Sequence, residues 1–252
     1  MPWEFLAPIV FAASFAQAAT GIGFGVIAGP FLLHAYGYER AVVETALYSI
    51  AVAAVCSATS LRAVAWRPAA LLAGMLPVGL VAGALLASVV SEGVIVAAFG
   101  ILLCTLGSTL LRREWHAGAP AVSPPVLRRG LLPAAFVAGI AAYLFAAPGP
   151  VAAWGLARSD LSVQALRGTL AVYFIVAYGV LAAAFGVLGR LAAVEWTVFG
   201  WMAVACVAGS MVGALHGNRF TARMLRIAIG AIIGLSGAST LLVLLWRSAS
   251  LV

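Results

Sequence analysis

Gln17-Ala18-Ala19-Thr20-Gly21-Ile22-Gly23-Phe24-Gly25 interrupts the first apolar stretch of the chain, and Phe145-Ala146-Ala147-Pro148-Gly149-Pro150 interrupts another, with Gly149 standing 124 residues after Gly25. A helix broken inside a bilayer frees backbone N–H and C=O groups where no water can satisfy them. Such breaks are tolerated where the freed groups are buried in protein or line a polar cavity. Two interruptions at corresponding places in two halves of one chain point to a transporter binding site.

Composition fixes the solvent. Hydrophobic residues make up 65% of the 252 and charged residues 8%, which leaves too little charge to cover a water-soluble domain. Mean hydropathy is +1.14. The apolar runs reach about 20 residues, the length that spans a hydrocarbon core. Met1-Pro2-Trp3-Glu4 lacks the basic start of a signal peptide, so the first apolar stretch is expected to stay in the mature protein. All 14 basic residues are arginines and sit in short loops, which fits headgroup contact and excludes a nucleic-acid-binding domain. Cys56, Cys104 and Cys206 lie in apolar runs without histidine neighbours, and His34, His116 and His216 are scattered. No metal site, cofactor or disulfide is expected.

Hydropathy divides the chain into apolar segments at 4–35 (broken), 41–61, 68–90, 93–111, 130–157 (broken), 165–188, 195–215 and 222–246. The polar stretch 112–129 reads as a linker between repeats 1–111 and 130–252. Gly79/Gly209, Gly83/Gly213, Gly100/Gly230 and Gly107/Gly237 correspond at an offset of 130, and Thr45/Thr169 at 124. The Gly-x-x-x-Gly pairs are explained by close helix packing in lipid.

Arginine placement distinguishes two topologies. If the broken segments cross the membrane, the 14 arginines divide almost evenly between the faces. If each is a re-entrant hairpin, only Arg40, Arg190 and Arg247 share one face, the asymmetry that the positive-inside rule produces. Arms of 12–15 residues, rising about 20 Å, also fall short of the core thickness. The sequence therefore predicts an all-α integral membrane protein of two inverted repeats, each a broken re-entrant hairpin followed by three transmembrane helices.

In that arrangement the second arm of each hairpin points its N-terminus at mid-bilayer, where free N–H groups and the positive dipole end favour an anion. Gly21, Gly23 and Gly25 permit close approach, Pro148 and Gly149 form the second break, and Gln17 and Thr20 are polar liners. Thr45 and Thr169 either donate to the anion or bond back to their own helices. Arg167 either pairs with substrate or snorkels to the interface. Glu44 is either a proton-carrying carboxylate or, more commonly for such a position, an interfacial glutamate.

Gly21-Ile22-Gly23-Phe24-Gly25, then Pro30, then Arg40-Ala41-Val42-Val43-Glu44-Thr45, together with Pro148-Gly149-Pro150 and Arg167-Gly168-Thr169, resemble the sulfite exporter TauE/SafE family. The resemblance implies a multi-pass carrier of the cell inner membrane. Its substrate would be a small anion such as sulfite, sulfoacetate or another organosulfonate, moved outward by alternating access. By position it assigns Gly21, Gly23, Gly25, Gly149, Thr45 and Thr169 to substrate binding. The chain departs from the family pattern in its proline-flanked second break and in Glu44. The competing readings are an anion channel, a membrane assembly subunit or an intramembrane enzyme. An enzyme would need a nucleophile with its base or a ligand cluster, and neither is present. Coupling ion and oligomeric state, including a homo-oligomer, are left open.

Overall fold

The computed structural model describes residues 3–21, 23–115, 127–156 and 161–216, and helical positions 227, 230–231, 234–235, 237–242 and 244–245. All regular elements among them are helical. The first half holds α1 (Trp3–Thr20), α2 (Phe24–Tyr36), α3 (Tyr38–Ser60), α4 (Trp66–Val89) and α5 (Glu92–Trp115). The second holds α6 (Leu127–Phe145), α7 (Gly149–Leu156), α8 (Val163–Val187) and α9 (Trp196–His216). Short 3-10 turns, Leu61–Ala63 and Arg190–Ala193, precede α4 and α9 at matching places.

Helices α3, α4, α5, α8 and α9 are long and apolar enough to cross a membrane. They are five of the six expected spans; the sixth, 222–246, lies largely outside the described residues. The expected linker is shortened at both ends, because α5 continues to Trp115 and α6 begins at Leu127. Residues 116–126 lie outside the described residues.

Each broken segment folds back on itself, α1 against α2 and α6 against α7. The arms differ from expectation in length. With 18 and 19 residues, α1 and α6 rise roughly 27–28 Å, whereas α2 and α7 have 13 and 8 residues. Gln17–Thr20 and Ala141–Phe145 are good helix formers, so each helix runs on until a residue needing positive φ stops it. Those residues are Gly21 (φ 86°) and Ala146 (φ 47°). The two breaks meet side by side at Gly25 and Ala146.

The packing is reciprocal between the halves. α1 lies on α9 as α6 lies on α4, and α3 pairs with its counterpart α8. Glycines set the distances. A Cβ on Gly79 would fall 2.6 Å from Gly139 Cα, and one on Gly83 2.8 Å from Tyr143 Cβ. Gly209 and Gly213 press in the same way on Phe11 and Phe15. Gly100 and Gly107 of α5 abut Gly237 and Gly234 of the C-terminal helical stretch. The helix α3 is the most enclosed span: 67% of its apolar stretch is buried, against 44% for α8 and 33% or less for α4, α5 and α9.

Gly79→Ile and Gly209→Ile should each lose most of the folded protein, since the added side chain has backbone rather than a movable neighbour in its way. Gly74→Ala, on α4 with nothing within 4 Å of its Cβ position, should leave it unchanged. Size-exclusion profiles and thermal unfolding in detergent compare the three.

Candidate functional site

At the first break the freed groups are met by side chains. Gly23 (φ 137°) turns the chain into α2, and the Phe24 N–H donates to Gln17 Oε1 at 2.9 Å. A side chain seven residues upstream thus caps α2. On the other side of the break, Ala18 is among the last residues of α1, whose carbonyls have no helical partner. Its oxygen accepts from Arg167 Nη2, which reaches over from α8. A cation suits the negative end of the α1 dipole.

Between these contacts lies a polar cavity of about 10 Å³, lined by Gln17, Gly21, Cys56, Ser60, Arg167 and Phe174. That is about the room of one water molecule. Gln17 is 2% exposed, and its Nε2 has no hydrogen-bond partner. A buried amide donor left unpaired is costly and marks a place where a polar guest is welcome.

At the second break Ala146 holds a left-handed conformation unusual for a residue with a side chain. Tyrosines cover its carbonyls: Tyr178 Oη donates to Ala146 O at 3.2 Å, and Tyr38 Oη to Leu144 O at 2.7 Å. The two breaks touch here. A Cβ on Gly25 would lie 2.5 Å from Ala146 O and 3.2 Å from Thr45 Cγ2, so only glycine lets them meet.

The residues expected from the sequence thus fall into groups. Gln17, Gly21 and Arg167 come together around the polar cavity. Gly25 and Thr45 stand at the second break, with Pro148 and Gly149 buried beside it at the start of α7. Gly23 serves the turn into α2. Thr20 Oγ1 bonds back to Ala16 O at 2.8 Å. Thr169, fully buried, uses Oγ1 to accept from Ala65 N at 3.0 Å, at the N-cap of α4.

Glu44 is fully buried within the protein. Its side chain is 1% exposed, 2.7 Å from Arg40 Nε, and accepts from Tyr48 Oη at 3.2 Å. Arg40 also stands 3.6 Å from Glu195 and 4.1 Å over the Tyr36 ring. Arg190 pairs with Glu39 at 3.3 Å, so two ion pairs tie the halves together near the start of α3. The sequence reading missed Cys56, Ser60, Ala146 and this network. The i, i+4 spacing of Arg40, Glu44 and Tyr48 was the available signal for the last.

The family model described as sulfite exporter TauE/SafE matches residues 6–240. The chain belongs to the sulfite exporter TauE/SafE family. The match runs from α1 into the C-terminal helical stretch, so both breaks and most of each half lie inside it. No curated protein and no solved structure matched the chain. TauE/SafE proteins form a transporter family rather than an enzyme family. Membership makes this chain a membrane transporter for sulfite-type sulfur anions, with a small anion as its partner.

Removing one member of a buried ion pair costs ~3–5 kcal/mol, and somewhat less here because the Arg40 side chain keeps 24% exposure. Arg40→Ala should therefore lower the melting temperature well below that of Glu44→Gln. Combining the two should recover part of the loss, as read by thermal unfolding of the purified protein.

Proposed function

We propose that this TauE/SafE protein exports sulfite or a short organosulfonate across the cell inner membrane by alternating access. The anion would be held beside the first helix break. The observation that carries the reading is the meeting of Arg167 and the unpaired Gln17 amide over one small polar cavity, at a break that a membrane helix would otherwise avoid. Two donors of different kinds, one cationic, converge where an oxyanion needs them.

At about 10 Å³ the cavity is too small for sulfite. Binding then requires Arg167 to exchange the Ala18 carbonyl for the anion, a swap of one oxygen acceptor for a charged one. The planar guanidinium can grip two oxygens at once. Gln17 donates through Nε2 while Oε1 keeps the α2 N-terminus in place, so substrate and helix share one side chain. The positive end of the α2 dipole adds to the attraction.

The two halves are read as inverted repeats with both termini outside the cytoplasm, so that rocking one against the other exposes the site to either face. Glu44 is the candidate for proton coupling. Protonation would neutralise it and release Arg40 toward Glu195, loosening the contact between the halves. Gly23, Gly25, Thr45, Pro148 and Gly149 act by shaping the breaks rather than by holding the anion directly, and Thr169 by seating the start of α4.

Arg167→Gln should cut sulfite flux at least tenfold, Arg167→Lys should retain more, and Gln17→Leu should fall in between, with membrane insertion unchanged. Gly23→Leu should abolish flux. Reconstituted vesicles loaded with sulfite provide the assay. Wild-type flux in Arg167→Gln would dismiss the site. Linear conductance without exchange of internal for external sulfite would favour a channel.

A further inference from the structure

A second region bears on how an anion leaves the break. A crevice of about 300 Å³ opens between α2, the start of α5 and the C-terminal helical stretch. Pro30, Phe31 and His34 line one wall, Glu92 and Val96 another. Leu33 and Val96 also line a smaller cavity of about 20 Å³, whose other walls include Thr45, Phe99 and Phe145. The two cavities are therefore neighbours that share the apolar side chains Leu33 and Val96.

Two walls of the smaller cavity are stacked rings. Phe99 of α5 stacks on Phe145, the last residue of α6, with centroids 4.5 Å apart and planes 14° from parallel. Val26, Leu103 and Ala147 complete the cluster and are all buried. Ala147 belongs to the second break, so the cluster joins the wall of the smaller cavity to the break's backbone. A Cβ on Gly29 would lie 3.9 Å from Cε1 and Cζ of Phe99, so the bare glycine leaves space beside the ring.

We infer that the Phe99–Phe145 stack is a hydrophobic gate, and that the crevice beside Glu92 is the passage by which the anion reaches the far side of the membrane. This rests on the transport reading above. Apolar constrictions gate by excluding water, and an anion with its hydration shell cannot pass one that is closed. A ring stack is suited to this, because rotating one aromatic side chain opens a path without breaking a hydrogen bond. The crevice walls are mostly apolar, and its two ionisable groups, His34 and Glu92, stand on different helices, α2 and α5. Such a wall releases an anion rather than retaining it, as a passage must. α5 and the C-terminal stretch, joined by their glycines, would move as one wall of the passage.

The test uses thiol labelling, which requires no transported anion and so can fail or succeed separately from the sulfite assay. Cys56, Cys104 and Cys206 are replaced by alanine, and Ala147→Cys is exposed to a membrane-impermeant methanethiosulfonate in sealed vesicles. Glu92→Cys serves as the reference for the crevice face. With Phe99 intact, Ala147→Cys should label at least tenfold more slowly than the reference. Adding Phe99→Ala should raise its rate at least tenfold from the Glu92 face, and Phe99→Leu should give a smaller rise. If Phe99→Ala fails to elute as a single folded species, the Phe99→Leu comparison decides. Equal labelling with and without the Phe99 substitution, or labelling from the opposite face alone, would overturn the gate.

Discussion

The fold depends on satisfying a few backbone groups that two helix breaks release inside a membrane. Water cannot reach them in hydrocarbon, so each needs a partner within the protein. At the first break the partners are Gln17 for the Phe24 N–H and Arg167 for the Ala18 carbonyl. At the second they are Tyr38 and Tyr178 for the Leu144 and Ala146 carbonyls. Three of these four side chains come from α3 or α8, and those two helices pack on each other. The central pair thus holds both breaks open, and the breaks in turn fix which residues α3 and α8 must carry.

Polarity follows from that role. The helix α3 bears Arg40, Glu44, Thr45, Tyr48, Ser49, Cys56, Ser57 and Ser60, an expensive set for a membrane span. It is tolerated because α3 is the span most covered by protein. Lipid instead meets α4, α5 and α9, whose exposed faces carry residues such as Val81, Leu85, Ile101, Trp201 and Val204. Glycine contacts then hold this outer layer close: α4 to α6, α9 to α1, and α5 to the C-terminal stretch.

Much of this was legible in the sequence, for identifiable reasons. The breaks were visible because glycine and proline rarely interrupt an apolar run without cause, and the close helix contacts because Gly-x-x-x-Gly pairs let backbones approach. Hairpin arm lengths were misjudged, since nothing in Gln17–Thr20 marks where a helix yields to Gly21. Arg167 was recognised as ambiguous between substrate and interface. Its bond to Ala18 depends on a contact across 149 residues, which no local pattern encodes. Thr169 matched Thr45 in register, yet one caps α4 and the other faces Gly25. Equivalent positions in a duplicated chain need not keep equivalent duties. The burial of Glu44 depends on Arg40 and Tyr48, which bond it, and Arg40 in turn on the second half's Glu195.

The unequal hairpin has a consequence for how the molecule is made. Residues Phe24–Pro30 of α2 are all buried, and Gly25 rests on Ala146, which the ribosome adds more than a hundred residues later. Arg167 emerges later still. A nascent first half therefore carries a break whose Ala18 carbonyl has no guanidinium to meet it and whose short arm has no second half to rest on. Its seating must await the completed chain, so assembly in the bilayer ends with a late docking of parts already inserted.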